Sequence, residues 1–423
     1  MRIMKHKTTI LLLVLMAAAL ILAACGIETV LSQTGAESVS GTSDTAAAES
    51  TVALSDSGTE SSEAFSDRDL SGDYDDDGAV TITLDGTSAT ASSESVKIDG
   101  GTVTVTAAGT YLLSGILDDG TIVVDASKDD KIQLVLDGVT IHSETFAAIY
   151  VKQADKVFVT LADGSVNTLT NGSGFQYIDD NKVDGVIFAK DDITLNGGGA
   201  LTITSPDANG IVGKDEVTIT GGTYDITAAK HAIEGKDSIA ISDGTLTLNA
   251  GEDGLHSENE DDESKGNIYI AGGTFVITVG DDAIHANTLL QIDGGTLTIT
   301  GAEGLEATYV QINGGNISIS ASDDGVNAAH KSSIYTPTFE MNDGTLTIVM
   351  GAGDTDGVDS NGNIVINGGT IDVTGQSTFD YDGTAQYNGG TIIVNGEQID
   401  YIPNQMMGGG MGDFGGMGGG RRP

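Results

Sequence analysis

Acidic side chains recur at one fixed point of an internal repeat in this 423-residue chain. The members of this set are Asp253, Asp281, Asp282, Glu303, Asp323, Asp324, Asp356 and Asp359. If successive repeats stack ~4.8 Å apart, two neighbouring unit charges repel each other by ~3.5 kcal/mol at an effective dielectric constant of about 20. Such a column needs a neutralising partner, which is a cation, a proton, or a His or Lys side chain.

Calcium is the cation that these residue types favour, because Ca²⁺ accepts oxygen ligands from carboxylates, backbone carbonyls and water. We therefore predict Ca²⁺ binding along the acidic set. Three histidines, His231, His256 and His285, occupy related positions. Because no His or Cys grouping has the spacing of a zinc site, we interpret these histidines as neutral stacking partners.

A second repeated feature is a Lys-Asp pair. Lys190, Lys214 and Lys236 are each followed directly by an aspartate. Stacked ion pairs are the favoured interpretation. The alternative is catalytic, since a lysine beside bound calcium could take a proton from a uronate, although the adjacent aspartate tends to keep the amine protonated.

The elements that must position these residues are short strands. In Asn267–Thr300, alternating apolar residues lead to Gly272-Gly273, resume after the glycines, turn again at Asp281-Asp282 and restart at Leu290. Similar glycine phrases recur 20 to 29 residues apart, ending at positions 199, 222, 244, 273, 295, 315, 344, 369 and 390. Such spacing indicates a solenoid. The strands read at a period of two without a helical stripe, so we predict an all-β, right-handed parallel β-helix with an N-terminal β cap.

The first 25 residues have the composition of a secretory leader. Basic residues precede an apolar run, Ile10–Leu22, and the run ends at Leu22-Ala23-Ala24-Cys25, which resembles a bacterial lipobox. Cys25 is also the only cysteine of the chain. We therefore predict lipidation of Cys25 and an extracellular protein, lipid-anchored to the bacterial cell membrane.

The rest of the chain divides by composition. Residues 26–66 are rich in Ser, Thr, Ala and Glu and predict a disordered tether. We assign residues 67–130 to the N-terminal β cap, 131–402 to the β-helix, and 403–423 to a disordered Gly/Met-rich tail. Asp73–Gly78 matches the first half of an EF-hand loop, but Leu84 stands where a bidentate Glu is needed, so we interpret it as a surface turn.

Net charge limits the partners. The chain carries 62 acidic against 18 basic residues, a formal charge of −44. This excess excludes nucleic acid as a partner and indicates a solvated surface, cation binding, or both.

Several motifs, in their order along the chain, carry a resemblance to the bacterial carbohydrate-binding parallel β-helix family, whose clostridial member binds cellulose and polygalacturonate on a pectate-lyase-like fold. These motifs are Gly109–Gly115, Ile132–Gly138, Asn167–Thr170, Ala189–Asp192, Asp253–Ser257 and the Gly-Gly-Thr corners. The resemblance implies calcium ions along the helix, with Asp253, Asp282, Glu303, Asp324 and Asp356 as candidate ligands. Asn209 and His231 depart from the acidic pattern in the earlier coils.

The leading hypothesis is a monomeric, surface-anchored protein that binds calcium and plant cell-wall or other extracellular polysaccharide without cleaving it. Lys190, Lys214, Lys236, Tyr224 and Tyr269 are the candidate carbohydrate contacts. A calcium-dependent pectate-type lyase and a structural adhesin or cell-wall spacer are the alternatives. We favour binding alone, because the chain has no Arg between Arg68 and Arg421 to act as the base of the commonest pectate lyases.

Overall fold

The computed structural model describes residues 64–176, 179–353 and 355–405. The predicted leader with Cys25, nearly all of the predicted tether and most of the predicted tail lie outside these ranges. Within them, no helix is long and apolar enough to cross a membrane.

The described residues form one short helix and a long series of strands. Their bounds in chain order are α1 Asp67–Leu70, β1 Val80–Gly86, β2 Ser88–Ala91, β3 Val96–Asp99, β4 Thr102–Val105, β5 Gly109–Leu117, β6 Thr121–Asp125, β7 Lys131–Ser143, β8 Ile149–Gln153, β9 Lys156–Leu161, β10 Val166–Asn171, β11 Gly185–Ala189, β12 Asp192–Gly197, β13 Ala200–Ser205, β14 Asn209–Gly213, β15 Glu216–Ile219, β16 Thr223–Ala228, β17 Ile233–Gly235, β18 Ser238–Ile241, β19 Thr245–Ala250, β20 Leu255–Ser257, β21 Asn267–Ile270, β22 Thr274–Val279, β23 Asp282–Ala286, β24 Leu289–Ile292, β25 Thr296–Gly301, β26 Glu303–Ala307, β27 Tyr309–Ile312, β28 Asn316–Ala321, β29 Val326–Ala328, β30 Thr338–Met341, β31 Thr345–Met350, β32 Asp356–Ser360, β33 Asn363–Ile366, β34 Thr370–Thr374, β35 Ser377–Tyr381, β36 Ala385–Tyr387, β37 Thr391–Val394 and β38 Glu397–Ile399.

These strands stack as three parallel ladders, which we call faces A, B and C. Face A runs from β5 through the first half of β7 to β9, β12, β15, β18, β21, β24, β27, β30, β33 and β36. Face B runs from the second half of β7 through β10, β13, β16, β19, β22, β25, β28, β31 and β34 to β37. Face C runs from β4 through β6, β8, β11, β14, β17, β20, β23, β26, β29 and β32 to β35. A coil visits C, A and B in turn, as β23, β24 and β25 do, so the predicted parallel β-helix is confirmed.

Alternation within each strand separates the core from the surface. In β25, Leu297 and Ile299 are buried, whereas the alternating threonines Thr296, Thr298 and Thr300 are exposed. The inward side chains of all three faces join one continuous apolar core, because stacking brings each buried row onto the next. The predicted Gly-Gly corners lie between faces A and B. At one of these corners Gly295 has φ +98°, and a Cβ there would lie 3.0 Å from the carbonyl oxygen of Gly273, so the corner requires glycine.

The segment predicted as a cap, 67–130, contains two kinds of structure. The hairpins β1–β2 and β3–β4 are antiparallel, as expected of an end that covers the stack. However, β1 also pairs in parallel with β5, and β4 with β6. The parallel ladders therefore extend through this segment and continue past Lys131, because its strands repeat the same inward apolar pattern.

Two segments cover part of the outer surface of face A. One is α1 with the residues around it: Arg68 donates to Gln133, and Asp69 lies 2.8 Å from Lys156 and accepts from Thr194. The other is the loop before β30. It is tied to an earlier inserted loop, because the carbonyl oxygen of Glu263 accepts from Ser332 at 2.9 Å. Both loops arise where sequence insertions lengthen a coil to 29 residues.

Candidate functional site

The predicted acidic set lies on face C, at the start of its strands and at the corners just before them. Two columns run across the coils there. The first column contains Asn209, His231, Asp253, Asp282, Glu303, Asp324 and Asp356, two residues before the aligned Ile, Leu or Val positions of each strand. The second column contains Glu234, His256, His285, Glu306, Asn327, Asp359 and Asp380, one residue after those positions or, for Asp380, after the aligned Phe379. Parallel register thus stacks the residues that the sequence analysis expected to stack.

The first column is also linked from coil to coil through the backbone. The Asp282 amide donates to Asp253 Oδ1 at 3.0 Å, and the Asp356 amide donates to Asp324 Oδ1 at the same distance. The remaining two acids of the set, Asp281 and Asp323, are exposed. Column members therefore point along the stack, whereas Asp281 and Asp323 face solvent at the corner.

Histidines neutralise the earlier half of the columns. His256 Nδ1 lies 2.7 Å from Asp253 Oδ2, and His231 Nδ1 lies 3.1 Å from the same oxygen. The rings of His231 and His256 stack with centroids 4.2 Å apart. Although burial by itself raises the pKa of Asp253, hydrogen bonds from both histidines lower it well below its ordinary value. The predicted stacking of the histidines is present. Burial lowers the pKa of His231, but the contact with Asp253 outweighs it and raises the pKa, which favours the charged rather than the neutral imidazole at His231.

His285 continues this arrangement on the following coil. Its Nδ1 lies 2.8 Å from Asp282 Oδ2 and 2.8 Å from Glu306 Oε2. Burial lowers the pKa of His285, but the hydrogen bonds to Asp282 and Glu306 outweigh it and raise the pKa to about 10. Lys331, from the second inserted loop, lies 2.9 Å from Glu306 Oε1. Burial raises the pKa of Glu306, but the contacts with His285 and Lys331 lower it below its usual range.

The later half of the columns has a different electrostatic character. Burial, together with neighbouring carboxylates, raises the pKa of Glu303 to about 8, that of Asp324 to about 7 and that of Asp359 to about 6. Asn327 donates to Glu303 at 3.0 Å. Next in the second column, Asp380 Oδ1 is buried without a hydrogen-bond partner among the described residues. This end of the columns therefore holds more negative charge than its surroundings compensate.

Three groups within the described residues bring ligand atoms within 4.8 Å of one another. They are His231/Asp253/His256, Asp253/Asp282/His285 and Asp282/Glu303/Glu306. The third group offers only carboxylate oxygens, which suits a hard cation. The site residues predicted from the sequence do not include Glu306. Its position three residues after Glu303 is the signal that could have identified it.

The three lysines lie where face C turns into face A, and their partners differ from those predicted. Lys214 Nζ lies 2.8 Å from Glu234 Oε1, and Lys236 Nζ lies 2.7 Å from Asp261. Asp237, which follows Lys236, instead pairs with Lys265 at 2.6 Å. Lys190 is exposed and has no ion-pair partner in the described part of the chain. The adjacent aspartates are thus not the acceptors, because consecutive side chains of extended backbone point to opposite sides.

Lys190 and Lys214 line one cavity of about 410 Å³, which we call the lysine cavity. Its described lining residues are Asp180, Asn181, Lys182, Asp184, Phe188, Lys190 and Lys214. The Lys214 ammonium lies 5.5 Å from the centroid of the Phe188 ring. Asp184 Oδ1 is buried without a hydrogen-bond partner among the described residues, and burial raises the pKa of Asp184. Lys236 lies outside this lining.

The candidate tyrosines are buried. Tyr224 is 1% exposed in the core, and its hydroxyl donates to the carbonyl oxygen of Gly221. Tyr269 is 5% exposed; its ring packs 5.9 Å from that of Phe65, and its hydroxyl donates to Asp293 at 2.7 Å. The structure thus gives both residues packing roles, which leave little ring surface for a sugar. Side chains alternate between inward and outward along the strand, and Tyr224 falls at an inward position. This alternation is the signal that could have assigned it to the core.

Comparison with known proteins adds an independent finding. The family model described as "Carbohydrate-binding domain-containing protein" matches residues 99–353 and 301–400. A protein of Acetivibrio thermocellus with the same description is 42% identical over 128 residues, which are 30% of this chain and 45% of that protein. The match therefore spans less than half of the relative.

A solved structure is also similar. It is described as the polysaccharide lyase-like protein from C. thermocellum, gadolinium derivative, and it aligns with a TM-score of 0.51 and 34% identity. The alignment covers 57% of this chain and 94% of that one.

Proposed function

Since the chain belongs to the family of carbohydrate-binding domain-containing proteins, we propose that its β-helix binds acidic, uronate-containing polysaccharide without cleaving it. The observation that carries this proposal is the lysine cavity. In a chain with a formal charge of −44, this concave surface is lined by three lysines against two aspartates, so basic residues outnumber acidic ones there. A concave site with a few converging charged groups and an apolar wall is the usual form of a ligand site.

The chemistry of the cavity fits a sugar carboxylate. Lys190 has no ion-pair partner among the described residues, and the ammonium of Lys214 has three hydrogens, of which Glu234 occupies one. Two ammonium groups can therefore receive a uronate. Phe188 is itself buried, and its ring lies 5.5 Å from the Lys214 ammonium, so it helps to position Lys214 at the cavity wall. A charge-assisted hydrogen bond of this kind contributes about 1.5–3 kcal/mol.

Calcium is the second part of the proposal, and it belongs to the later half of the columns. The residues that would hold it are Glu303, Asp324, Asp356 and Asp359, with Asp282 at the near end. The raised pKa values of Glu303, Asp324 and Asp359, together with the buried, unpartnered Oδ1 of Asp380, support this assignment. A bound divalent cation would relieve their mutual repulsion, and it could also bridge a polymer carboxylate to the protein. Asp253 already accepts from two histidines, so it is the least suited member.

The cellular setting remains a proposal from the sequence. A lipid on Cys25 would hold the domain at the outer side of the cell membrane, where extracellular polysaccharide is accessible. Labelled palmitate should be incorporated at Cys25, and Cys25→Ala should appear in the medium. Retention of the alanine variant in the membrane fraction would refute the anchor.

Binding to polygalacturonate tests the function directly. We expect Lys190→Ala/Lys214→Ala to raise the Kd for a galacturonate oligomer by about tenfold or more, which corresponds to the loss of ~1.4 kcal/mol. Titration calorimetry at constant calcium measures it. Lys97→Ala/Lys128→Ala is the matched control, because it removes the same charge from two exposed lysines elsewhere. Equal losses in both variants would mean that overall charge, and not the cavity, governs binding.

A further inference from the structure

A second cavity, of about 390 Å³, lies on the outer surface of face A. Its floor includes Ser238, Asn267 and Tyr269 from successive strands, and it lies between the two segments that cover this face. Ala64, at the start of the described residues, forms part of one wall. Ile334 and Tyr335, from the second inserted loop, form part of the opposite wall. We call this cavity the face A groove.

The wall formed by Ile334 and Tyr335 is held in place by contacts between the inserted loops. The carbonyl oxygen of Glu263 accepts from Thr288 at 2.7 Å and from Ser332 at 2.9 Å. The Glu263 carboxylate accepts from the Ser333 amide at 3.1 Å. Tyr335 also packs against Tyr309, with ring centroids 5.4 Å apart at 63°. Two distant insertions therefore build one wall, and the groove is a constructed feature of the fold.

The lining of the face A groove differs in charge from the lysine cavity. None of its described lining residues is basic, and its single acidic residue is Glu216. Glu216 accepts from Thr218 at 2.8 Å, and burial raises its pKa. A negatively charged polymer would meet this carboxyl group and find no basic residue among the described lining residues. The groove thus disfavours uronates and favours an uncharged ligand.

Hydrogen-bonding groups and apolar surface occur together in this groove. Asn267 donates its amide hydrogen to the Ser264 carbonyl oxygen, which leaves its side-chain oxygen as an acceptor. The Ser238 hydroxyl lines the same floor. Ile334 is 50% exposed, and Tyr335 is partly exposed. A partly exposed tyrosine combines an apolar face with a polar tip, which matches the two kinds of surface that a sugar ring presents.

We propose that the face A groove is a second saccharide subsite, which takes a neutral sugar residue. Tyr335 and Ile334 contact the apolar face of the ring, while Ser238 and Asn267 bond its hydroxyl groups. This inference rests on the proposed function and adds a ligand class to it. The protein then contacts acidic and neutral sugars at separate places on one rigid stack.

Binding of defined oligosaccharides to the full chain tests the inference. The probes are cellohexaose, mannohexaose and xylohexaose as neutral ligands, and hexagalacturonate as the acidic one. We expect the full chain to bind at least one neutral probe, and Tyr335→Ala to raise its Kd by about tenfold while leaving hexagalacturonate binding within about twofold. Tyr401→Ala is the matched control, since Tyr401 is 59% exposed and lies outside the groove.

A second variant separates loss of the subsite from loss of folding. Glu263→Ala removes the carboxylate contact that ties the inserted loops, so it should weaken neutral-sugar binding without affecting the acidic probe. Unchanged binding of every neutral probe in Tyr335→Ala, or no binding of any neutral probe to the full chain, overturns the inference. Loss of hexagalacturonate binding in Lys190→Ala/Lys214→Ala is measured on the same samples, so a failure of the acidic function is recognised separately.

Discussion

The Nδ1 atom of His285 lies 2.8 Å from Oε2 of Glu306 on the next coil. The two residues are direct register partners on face C, so the contact joins neighbouring coils at the surface of the core. Both side chains are nearly buried, at 12% and 6% exposure. Removal of either partner of such an ion pair destabilises the folded protein, because the other charge is left buried without compensation.

The His285→Gln variant should therefore unfold more easily at mildly acidic and neutral pH. The folded protein raises the pKa of His285 from 6.5 to about 10, so its contribution is complete below pH 6.5 and is lost as pH rises through about 10. The pKa of Glu306 is lowered from 4.5, so its contribution is complete above pH 4.5 and falls at lower pH. We expect a loss of roughly 3–5 kcal/mol between these limits, which denaturant unfolding measures.

The matched control is His330→Gln, since His330 is exposed. Its free energy of unfolding should stay within about 0.5 kcal/mol of the wild type. The difference between His285→Gln and the wild type should shrink toward pH 10. A difference that is constant from pH 5 to pH 10 would show that His285 acts through packing alone.

The columns on face C show which features of the site can be predicted from the sequence. Glycine corners and the period-two strands predict the coil register, and that register places His285 opposite Glu306 without further information. The sequence does not determine which neutralising partner each carboxylate takes. Lys331 contacts Glu306 from a loop inserted in a later coil, and side-chain pairing across such a loop depends on three-dimensional packing that no periodicity encodes.

Tyr224 and Asp69 illustrate two further limits. Tyr224 occupies an inward position of a strand with period-two alternation, so the sequence pattern alone places it in the core and not at a sugar site. Asp69 lies in a segment without a repeat, yet it reaches Thr194 at 2.6 Å across 125 positions of sequence. Only the folded stack creates the surface on which that segment packs.

Asp69→Asn should release the segment around α1 from face A. Asp69 is 4% exposed and lies 2.8 Å from Lys156. Although burial raises the pKa of Asp69, hydrogen bonds from Lys156, Ser66 and Thr194 lower it below 3.8. The contribution is therefore present above pH 3.8 and is lost as pH falls below that value. We expect a loss of roughly 3 kcal/mol at pH 7 and faster proteolysis near Phe65; Asp67→Asn is the exposed control.

Calcium should raise the melting temperature of the protein, because a ligand that binds only the folded state stabilises it by RT ln(1 + [L]/Kd). One site at a hundredfold excess over its Kd contributes ~2.7 kcal/mol. Chelation with EDTA should reverse the shift, and Asp324→Asn/Asp359→Asn should abolish most of it. Asp225→Asn/Asp243→Asn is the control at two exposed positions away from the columns. Equal calcium responses in the two double variants would refute the proposed site.

Polygalacturonate should remain uncleaved under conditions in which it binds. β-Elimination needs a group that removes a proton from carbon, and the candidates are Lys190, Lys214 and Lys236. Lys214 pairs with Glu234 at 2.8 Å. The hydrogen bond to Asp261 raises the pKa of Lys236 above 10.5. A base must lose its proton at working pH, so these contacts oppose a role as the catalytic base.

The measurement is the absorbance of unsaturated product, with millimolar calcium, across a broad pH range. Sustained turnover that disappears in Lys214→Ala or Lys236→Ala, but not in Lys128→Ala, would establish a lyase in place of the binding protein proposed here.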